Sequence, residues 1–558
     1  MTQNNLSATA GIDTISLAQS IARRAVPVGC ILGLAVGSSS AIAQDPGSRL
    51  GDEFRVNTET LLPRREAAIA MDADGDFVVT WESYTQGGDQ YEIFAQRYSA
   101  DGSAAGTEFR VNTETSSGQS AAAIAMDADG DFVVVWQSYR QDGSNYGIFA
   151  QRYNADGSAA GTEFQVNTEI SDRQVNPAVA MDADGDFVIA WESRYQDGDN
   201  FGIFAQRYNA DGSRAGTEFQ VNTGVTFDQR FPAIAMDADG DFVVAWESDL
   251  RGDRGDDILA QRYNADGSTA GTEFLVNTET LFDQSTPTIA MDADGDFVVA
   301  WQSYAQDGDE FGIFAQRYTA DGSAAGTEFQ VNTEISINQR NPTIDMDATG
   351  DFVVAWQSLD GSGNGVYAQR YNADGTTAGA EFQVNTETSS SQDTAAIALD
   401  ADGDFVVAWE SYGQDGNEYS IFAQRFVGPE DVDLAVTVTD APDPAEVGQT
   451  LTYTVMLDNQ HDAVAPTGVM AIDSAIGSAT GVTGLAELTG LDFTFQGVTT
   501  TSDIGITCTP FDGPPAGVDC SLDGPLPAGV SLSAELQVIP TETGTLTATA
   551  SVTGSQFD

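Results

Sequence analysis

Aspartates at alternate positions recur along the chain in the turn sequence Asp-Ala-Asp-Gly-Asp, first at Asp72, Asp74 and Asp76. Carboxylates spaced in this way around a glycine can present several oxygens to one cation, and Ca²⁺ prefers a shell of oxygen ligands. The pattern therefore predicts weak binding of Ca²⁺ as a cofactor. The predicted ligands are Asp72, Asp74, Asp76, Asp127, Asp129, Asp131, Asp182, Asp184, Asp186, Asp237, Asp239, Asp241, Asp292, Asp294, Asp296, Asp400, Asp402 and Asp404.

A second turn sequence supports a simpler role for these aspartates. Asn154-Ala-Asp-Gly-Ser158 has the same Ala-Asp-Gly centre without the flanking acids, and Thr349 replaces the middle aspartate in the sixth Asp turn. Asp and Gly form tight hairpin turns without any metal. Turn formation alone is therefore favoured over calcium binding, and both interpretations stay open.

The Asp turns belong to a repeat that begins at Met71 and returns every 55 residues, with a last interval of 53. A fixed period of this kind indicates units that bury their faces against their neighbours. In the third unit, residues typical of strands predict strand A at Ala178–Met181, B at Phe187–Ser193, C at Ile203–Tyr208 and D at Phe219–Asn222. Seven copies of such a unit predict an all-β fold, a seven-bladed β-propeller of four-stranded blades.

The repeat is out of frame with the chain. Residues 53–57 match a D strand before the first A strand, whereas the last unit ends at Phe426 without one. An open ring would leave an unpaired sheet edge. We therefore expect 53–57 to complete the seventh blade of a propeller formed by residues 44–427. This closure resembles that of WD-repeat propellers, and the Asp turns resemble the longer calcium loops of FG-GAP propellers.

Other repeated residues have structural explanations. One tryptophan per unit, such as Trp136, lies within an apolar strand B, which favours core packing over a sugar-stacking platform. The Arg of the recurring Ala-Gln-Arg and the Glu of the recurring Glu-Phe also return in each unit. On adjacent strands they are expected to form a cross-strand ion pair.

Residues 1–43 have the layout of a secretory signal peptide, with Arg23 and Arg24 before an apolar run and a small-residue site that ends at Ala43. We therefore expect a secreted protein, extracellular or at the cell surface. Its formal charge of −63 argues against nucleic acid and anionic membranes as partners. No other segment is long and apolar enough for membrane insertion.

The composition changes after the last repeat. Residues 428–432 form a short linker, and residues 433–558 contain no Arg or Lys. In this region Pro442–Val455 and Gly544–Val552 resemble the conserved-repeat domain of bacterial surface proteins known as domain of unknown function eleven. The resemblance implies a C-terminal immunoglobulin-like β-sandwich over 433–558 that serves as a spacer.

Cysteine and histidine are scarce. Cys508 and Cys520 are the only cysteines beyond the predicted signal peptide, and in an exported protein they predict a disulfide, with free thiols as the alternative. The single histidine, His461, is too few for a zinc site or a Ser-His-Asp triad.

The two faces of the predicted disc differ. The turn face carries the uniform A-to-B and C-to-D turns, and the variable-loop face carries the B-to-C and D-to-A loops. Arginine and aromatic residues gather in the variable loops, a composition typical of recognition surfaces, although a solvated rim that tolerates change is an equal alternative. The predicted ligand-binding residues are Arg64, Arg65, Arg140, Arg173, Arg194, Tyr195, Arg230, Phe231, Arg251 and Arg340.

These features predict a non-enzymatic binding or adhesion protein whose variable-loop face recognises an extracellular polysaccharide or a surface protein. A structural protein of a matrix or surface layer is the first alternative, and a propeller glycan hydrolase is the second. The hydrolase is disfavoured because an enzyme needs an asymmetric set of acids with perturbed pKa values. The near-identical units show no such set in the sequence.

Overall fold

The computed structural model describes residues 47–428, except positions 60–61, 85–89, 250–254, 309, 336, 362 and 417, and gives only strand positions outside this range. The chain forms two compact units, Gly47–Pro429 and a second one from residues 430–558 with residues 1–46. No helix suited to crossing a membrane occurs among the described residues.

The first unit is a propeller of seven four-stranded antiparallel sheets, blades 1 to 7, each with its strands in the order A, B, C, D. The A strands are Arg64–Met71, Gln119–Met126, Gln174–Met181, Gln229–Met236, Gln284–Met291, Gln339–Met346 and Gln392–Leu399. The B strands are Phe77–Tyr84, Phe132–Tyr139, Phe187–Arg194, Phe242–Ser248, Phe297–Tyr304, Phe352–Leu359 and Phe405–Tyr412. The C strands are Tyr91–Tyr98, Tyr146–Tyr153, Phe201–Tyr208, Asp257–Tyr263, Phe311–Tyr318, Asn364–Tyr371 and Tyr419–Phe426. The D strands are Phe109–Arg110, Phe164–Gln165, Phe219–Gln220, Phe274–Leu275, Phe329–Gln330, Phe382–Gln383 and, in blade 7, Arg49–Arg55.

The ring of blades is closed. Each A strand contacts the A strands of both neighbouring blades, including the contact between blades 7 and 1. Arg49–Arg55 pairs with the C strand of blade 7, with Phe54 opposite Ala423. The first D strand therefore covers an edge that would otherwise be unpaired.

The core lies between the blades. The B strands are buried on both faces, and the seven repeated tryptophans, such as Trp136, are fully buried. Val78 and Ile93 of blade 1 pack with Phe132 and Trp136 of blade 2. The prediction that the tryptophans serve core packing is confirmed, and each blade buries its two apolar faces against its two neighbours.

Each A strand begins earlier than its sequence pattern indicates. In blade 3 the strand starts at Gln174, and its register with strand B shifts between Val175 and Ala178, which marks a β-bulge. The bulged residue Asn176 has a φ of +51°, and the break in alternation hides these first residues from a pattern of period two. The same shift occurs in the other blades.

The second unit contains two antiparallel sheets. In one of them Cys508 lies directly opposite Cys520, but their side chains lie outside the described residues, so the disulfide stays a prediction. The immunoglobulin-like assignment also stays a prediction. The strands of this unit are Ile21–Arg24, Leu434–Ala441, Leu451–Asn459, Ala479–Thr489, Phe493–Thr500, Ile506–Phe511, Ala516–Leu522, Ser531–Pro540 and Thr545–Gln556.

Candidate functional site

The aspartates of the turn face hold the turns together. In blade 1 the Asp72 carboxylate accepts the backbone N–H groups of Asp74 at 3.1 Å and Asp76 at 2.9 Å. Asp76 accepts the backbone N–H of Ala100, in the C-to-D turn, at 2.8 Å. Two of the three carboxylates are thus occupied by backbone donors, and the middle one, Asp74, is exposed.

The first aspartate of each turn also contacts the next blade. Gly130 of blade 2 has a φ of +87°, and a Cβ at this position would lie 2.9 Å from the Asp72 carboxylate. Burial raises the pKa of Asp72 to about 6, and burial with repulsion from neighbouring aspartates raises that of Asp400 to about 8. A cavity of about 200 Å³ opens at the channel beside these turns. No group of three acidic, cysteine or histidine side chains in the described part of the chain could hold a metal ion, and calcium binding stays a prediction.

The repeated Arg and Glu do not form the expected ion pair in these blades. Arg97 donates to the backbone carbonyl of Asp156 in the next blade at 2.7 Å, and Glu108 accepts the backbone N–H of Thr58 at 2.7 Å. The expectation of a cross-strand pair is therefore wrong, because each side chain reaches a backbone group of a different blade. Their role is to join neighbouring blades.

The variable-loop face is built around the ring of A-strand bulges. The bulged residues share a left-handed backbone, with φ between +49° and +52°, although their side chains differ widely. This conformation is rare outside glycine, yet it recurs in all seven blades and presents five types of side chain at equivalent positions. They are Glu66, Ala121, Asn176, Phe231, Thr286, Asn341 and Thr394.

A belt of Glu and Gln side chains supports the bulges. Glu410 accepts the backbone N–H of Glu66 at 2.7 Å, and Glu82 accepts that of Ala121 at 2.6 Å. Either residue type can accept this bond, but only Glu carries an acid. The belt positions in blades 1 to 7 are Glu82, Gln137, Glu192, Glu247, Gln302, Gln357 and Glu410.

Three carboxyl groups, two from the belt and one from a bulge, interact electrostatically near the junction of blades 7 and 1. Burial and, to a smaller extent, the charge of Glu66 together raise the pKa of Glu82 and of Glu410 to about 7, against the opposing effect of the backbone hydrogen bond that each accepts. Burial also raises the pKa of Glu66, against the opposing effect of Arg65. The Arg65 guanidinium lies 4.5 Å from the ring centroid of Tyr419. We call Glu66, Glu82 and Glu410 the glutamate cluster.

A second acidic pair occurs in blade 4. Glu247 and Asp256 are linked by a side-chain hydrogen bond, and burial raises the pKa of both carboxyls. Such a pair is expected to share one proton. The sequence pattern did not single out either residue.

The predicted ligand-binding residues separate into two groups. Arg64 is 2% exposed and occupies the position of a buried Gln in the other blades, with a bond to the Pro63 carbonyl at 3.3 Å. Its side chain therefore belongs to the core, and its predicted role in ligand binding stays a prediction. Arg65 and Arg340 lie beside bulges and stack on aromatic rings.

Other predicted residues lie farther along the same face. Arg140 lies over the ring of Tyr139 at 4.8 Å, and Arg173 is exposed in a D-to-A loop. Arg194, Tyr195, Arg230 and Phe231 cluster where blades 3 and 4 meet. Arg251 lies outside the described residues, as does the rest of its Arg-Gly-Asp tripeptide.

The glutamate cluster was missed because its members come from two blades and are joined across a bulge. A signal was nevertheless present in the sequence. At one fixed position of the repeat, Glu alternates irregularly with Gln. This alternation keeps the hydrogen-bond acceptor and changes the acid–base chemistry.

The fold and site define a closed propeller whose variable-loop face carries acidic side chains at the bulge and belt positions of some blades but not of others. We call the channel opening on this face the mouth. No family model and no curated protein matches the chain. Solved structures similar to it include the polysaccharide lyase Uly1, with a TM-score of 0.44 and 11% identity over 68% of this chain and 100% of that one. An α-L-arabinanase of Penicillium chrysogenum with arabinobiose has a TM-score of 0.40 and 13% identity over 67% and 98%. The β-propeller domain of the Trilobed protease from Pyrococcus furiosus has a TM-score of 0.40 and 9% identity over 66% and 94%.

The comparison corrects one prediction. The structures named above include a polysaccharide lyase and an α-L-arabinanase, which are enzymes, and the prediction of a non-enzymatic binding or adhesion protein is wrong. At such low identity the likeness concerns the fold alone. The choice of a reaction has to come from the chain's own residues.

Proposed function

We propose that this protein is a propeller glycan hydrolase whose acids are the glutamate cluster. The observation that carries the proposal is the meeting of three glutamates at the channel mouth, two of them with pKa values raised to about 7. Glycoside hydrolysis generally uses two carboxyl groups, one protonated and one ionised. Environments that hold neighbouring acids in different protonation states provide this pair.

The geometry suggests a role for each member. Glu82 and Glu410 are buried, and one oxygen of each accepts a bulge N–H, which leaves the other oxygen to carry the proton for a leaving group. Glu66 is more exposed than these two residues, and the Arg65 guanidinium beside it opposes the rise in pKa that burial causes at Glu66. Glu66 is therefore the proposed base or nucleophile, and Glu82 or Glu410 the proposed acid.

The test is release of reducing ends from a panel of polysaccharides by the full chain and by Glu66→Gln, Glu82→Gln and Glu410→Gln. Blades 2, 5 and 6 carry Gln at the belt position, so the belt substitutions keep the acceptor of the bulge bond. Loss of a general acid or a nucleophile is expected to lower the rate by about 10²-fold or more. The matched control is Glu192→Gln, at the same belt position in blade 3.

The pH profile provides a second measurement. Because the acid has to be protonated, kcat/KM is expected to fall as the pH rises through about 7, where Glu82 and Glu410 lose their protons. Equal activity of all three variants and the control would contradict the proposed site. The absence of cleavage across the panel would contradict the proposed function.

Export forms part of the proposal, because a polysaccharide substrate lies outside the cell. The predicted signal peptide at 1–43 and the predicted immunoglobulin-like spacer at 433–558 support it. N-terminal sequencing of the protein recovered from the culture medium should begin near Gln44. A chain that starts at Met1 and stays in the cell would contradict export.

A further inference from the structure

We propose that a cluster of arginine and aromatic side chains, where blades 3 and 4 meet, binds an acidic sugar unit of the substrate polysaccharide. This inference rests on the proposed function, and it names the substrate class. The arginine–aromatic cluster consists of Arg194, Tyr195, Phe201, Phe227, Arg230 and Phe231.

Three aromatic side chains of the cluster are exposed. Tyr195 is 54% exposed, Phe227 45% and Phe231 41%. All three have a left-handed backbone, with φ values of +65°, +68° and +49°. A bulky residue in this conformation is strained, and none of the three gains core packing in return. Exposed rings held in this way are suited to stack on the apolar face of a sugar.

The backbone of the bulge does not require an aromatic residue. At the position of Phe231, blade 2 has Ala121 and blade 5 has Thr286, with nearly the same φ. At the position of Tyr195, blade 5 has Ala305 with a φ of +59°. The aromatic choice in blades 3 and 4 therefore has a reason other than the fold.

Each of the two arginines lies over an aromatic ring of the cluster. The Arg194 guanidinium lies 4.5 Å from the Tyr195 centroid and 5.9 Å from that of Phe201, and Arg230 lies 5.3 Å from the same Phe201 centroid. Arg194 also donates to the Tyr195 hydroxyl at 2.8 Å. Stacking fixes the plane of a guanidinium and leaves its edge to bind a carboxylate through two parallel hydrogen bonds.

Neighbouring carboxylates hold the cluster in place. Arg194 lies 3.8 Å from Asp172, and Arg230 pairs with Asp228. Asp228 also accepts the backbone N–H of Phe201 at 3.4 Å. Arg194 also donates to the Asn200 side-chain oxygen at 3.3 Å, and Arg230 interacts electrostatically with Glu192 and Glu247 as well. A guanidinium has five N–H donors, so each arginine keeps donors for a ligand, and such pre-organisation favours binding.

The position of the cluster indicates an extended ligand. Phe231 belongs to blade 4 and Glu66 to blade 1 of the seven-bladed ring, so they lie on different sides of the mouth. A ligand that reaches both sites is longer than one sugar. Two arginines that lie over aromatic rings at one end of this ligand favour a carboxylate or sulfate there, because a guanidinium binds such groups through paired N–H donors.

The experiment measures binding of four polymers by calorimetry, with Glu82→Gln in the full chain to suppress cleavage. Polygalacturonate is compared with its methyl ester, and dextran sulfate with dextran, so that each acidic polymer has a neutral counterpart. We expect at least one acidic polymer to bind about 10-fold or more tightly than its counterpart. The polymer that binds identifies a carboxylate or a sulfate as the recognised group.

The two aromatic variants use residues that another blade already carries at the same positions. Tyr195→Ala and Phe231→Thr reproduce blade 5, and each is expected to weaken binding about 10-fold. Arg194→Gln and Arg230→Gln are expected to remove the preference for the acidic polymer. Arg55→Gln, which removes one charge from the outer strand of blade 7, is the control and should bind normally.

Three results would overturn the inference: equal binding of acidic and neutral polymers, no binding of either acidic polymer, or normal binding by Tyr195→Ala with Phe231→Thr. The outcome is separable from that of the proposed function. Arginine-dependent binding without cleavage by the native chain would support the cluster and contradict the hydrolase. Cleavage of neutral glycans that the arginine variants do not affect would support the hydrolase and contradict the role of the cluster.

Discussion

The turn face and the variable-loop face use the same seven blades in opposite ways. On the turn face the repeated side chains bind backbone groups of their own turn or of the next blade, as Asp72 and Arg97 do. On the variable-loop face the backbone is repeated and the side chain changes, as at Glu66 and Phe231. Side chains that are the same in every blade therefore hold neighbouring blades together. Side chains that differ on the same backbone form the candidate site.

The belt of Glu and Gln links these two roles. Both residue types accept the bulge N–H, so the structural bond is the same in Glu82 and Gln137. Only Glu can hold or release a proton. A position that is structurally constant can thus be chemically different from blade to blade, and this property makes the mouth asymmetric.

The largest effect on stability is expected from a change at a contact between two blades on the turn face. Gly130→Ala would place a Cβ 2.9 Å from the Asp72 carboxylate, with a φ of +87°, and should lower the free energy of unfolding by about 2–4 kcal/mol. Gly161 has a φ of +93° and no atom near its Cβ position, so Gly161→Ala measures the backbone strain alone. Equal losses in urea denaturation of the two variants would show that the inter-blade contact is unimportant.

A change of charge at the turn face should give the next largest effect. The pKa of Asp400 is raised to about 8, so the folded state holds this proton more tightly than the unfolded state. Native stability should therefore fall as the pH rises from about 4, the unfolded value, through about 8. Asp400→Asn keeps the acceptor for the N–H groups of Asp402 and Asp404. It should stabilise the protein by about 1–3 kcal/mol at pH 8 and much less at pH 5.

The control for this variant is Asp74→Asn, because Asp74 is the exposed middle aspartate of its turn. Because Asp74 is exposed, this variant should change the difference in stability between pH 5 and pH 8 less than Asp400→Asn does. If Asp400→Asn has the same stability as the native chain at both pH values, the carboxyl of Asp400 is not a buried acid.

A substitution in the belt tests whether a buried acid at this position affects stability beyond the loss of a hydrogen bond. Gln302 accepts the Asn341 N–H at 3.0 Å and donates to the Ser285 hydroxyl at 3.1 Å. Gln302→Glu keeps the first bond, loses the second and buries an acid, so stability should fall by about 1–2 kcal/mol at pH 8 and less at pH 5. A loss that does not depend on pH would mean that only the hydrogen bond matters. Thermal unfolding at the two pH values distinguishes these outcomes.

The smallest effect is expected at the outer edge of a blade. Arg55 pairs with Asp415 at 3.5 Å, and Asp415 also accepts the Ser420 hydroxyl at 2.7 Å. In blade 6 the equivalent Gln383 donates to Asp360 at 3.3 Å. Arg55→Gln should therefore change the free energy of unfolding by less than about 0.5 kcal/mol in chemical denaturation. A larger loss would show that ring closure depends on this ion pair.

Much of the fold could be predicted, because its signals are local. Residue type and spacing placed strand B of blade 3 at Phe187–Ser193, and the structure has Phe187–Arg194. Strand A was predicted from Ala178, four residues after its actual start at Gln174. A bulge interrupts the alternation there, and a contact with the next blade stabilises the bulge. No pattern within one unit can show that contact.

The candidate site was predicted in part. Arg65, Arg230, Phe231 and Arg340 lie at bulges on the variable-loop face, as their loop context indicated. Arg64 does not, because a buried position normally filled by Gln accommodates its side chain. The adjacent residues Arg64 and Arg65 look alike in sequence, and only the direction of the strand separates core from surface.

The sequence by itself determined the number of blades, the four strands of each blade and the frame of the repeat, because these follow from periodicity and turn chemistry. The tertiary structure decided which side chains meet across blade boundaries. It brought Glu66, Glu82 and Glu410 together, and it attached the repeated Arg and Glu to backbone groups of neighbouring blades. Burial at those boundaries raises the pKa of the glutamates, and burial is a property of the assembled ring.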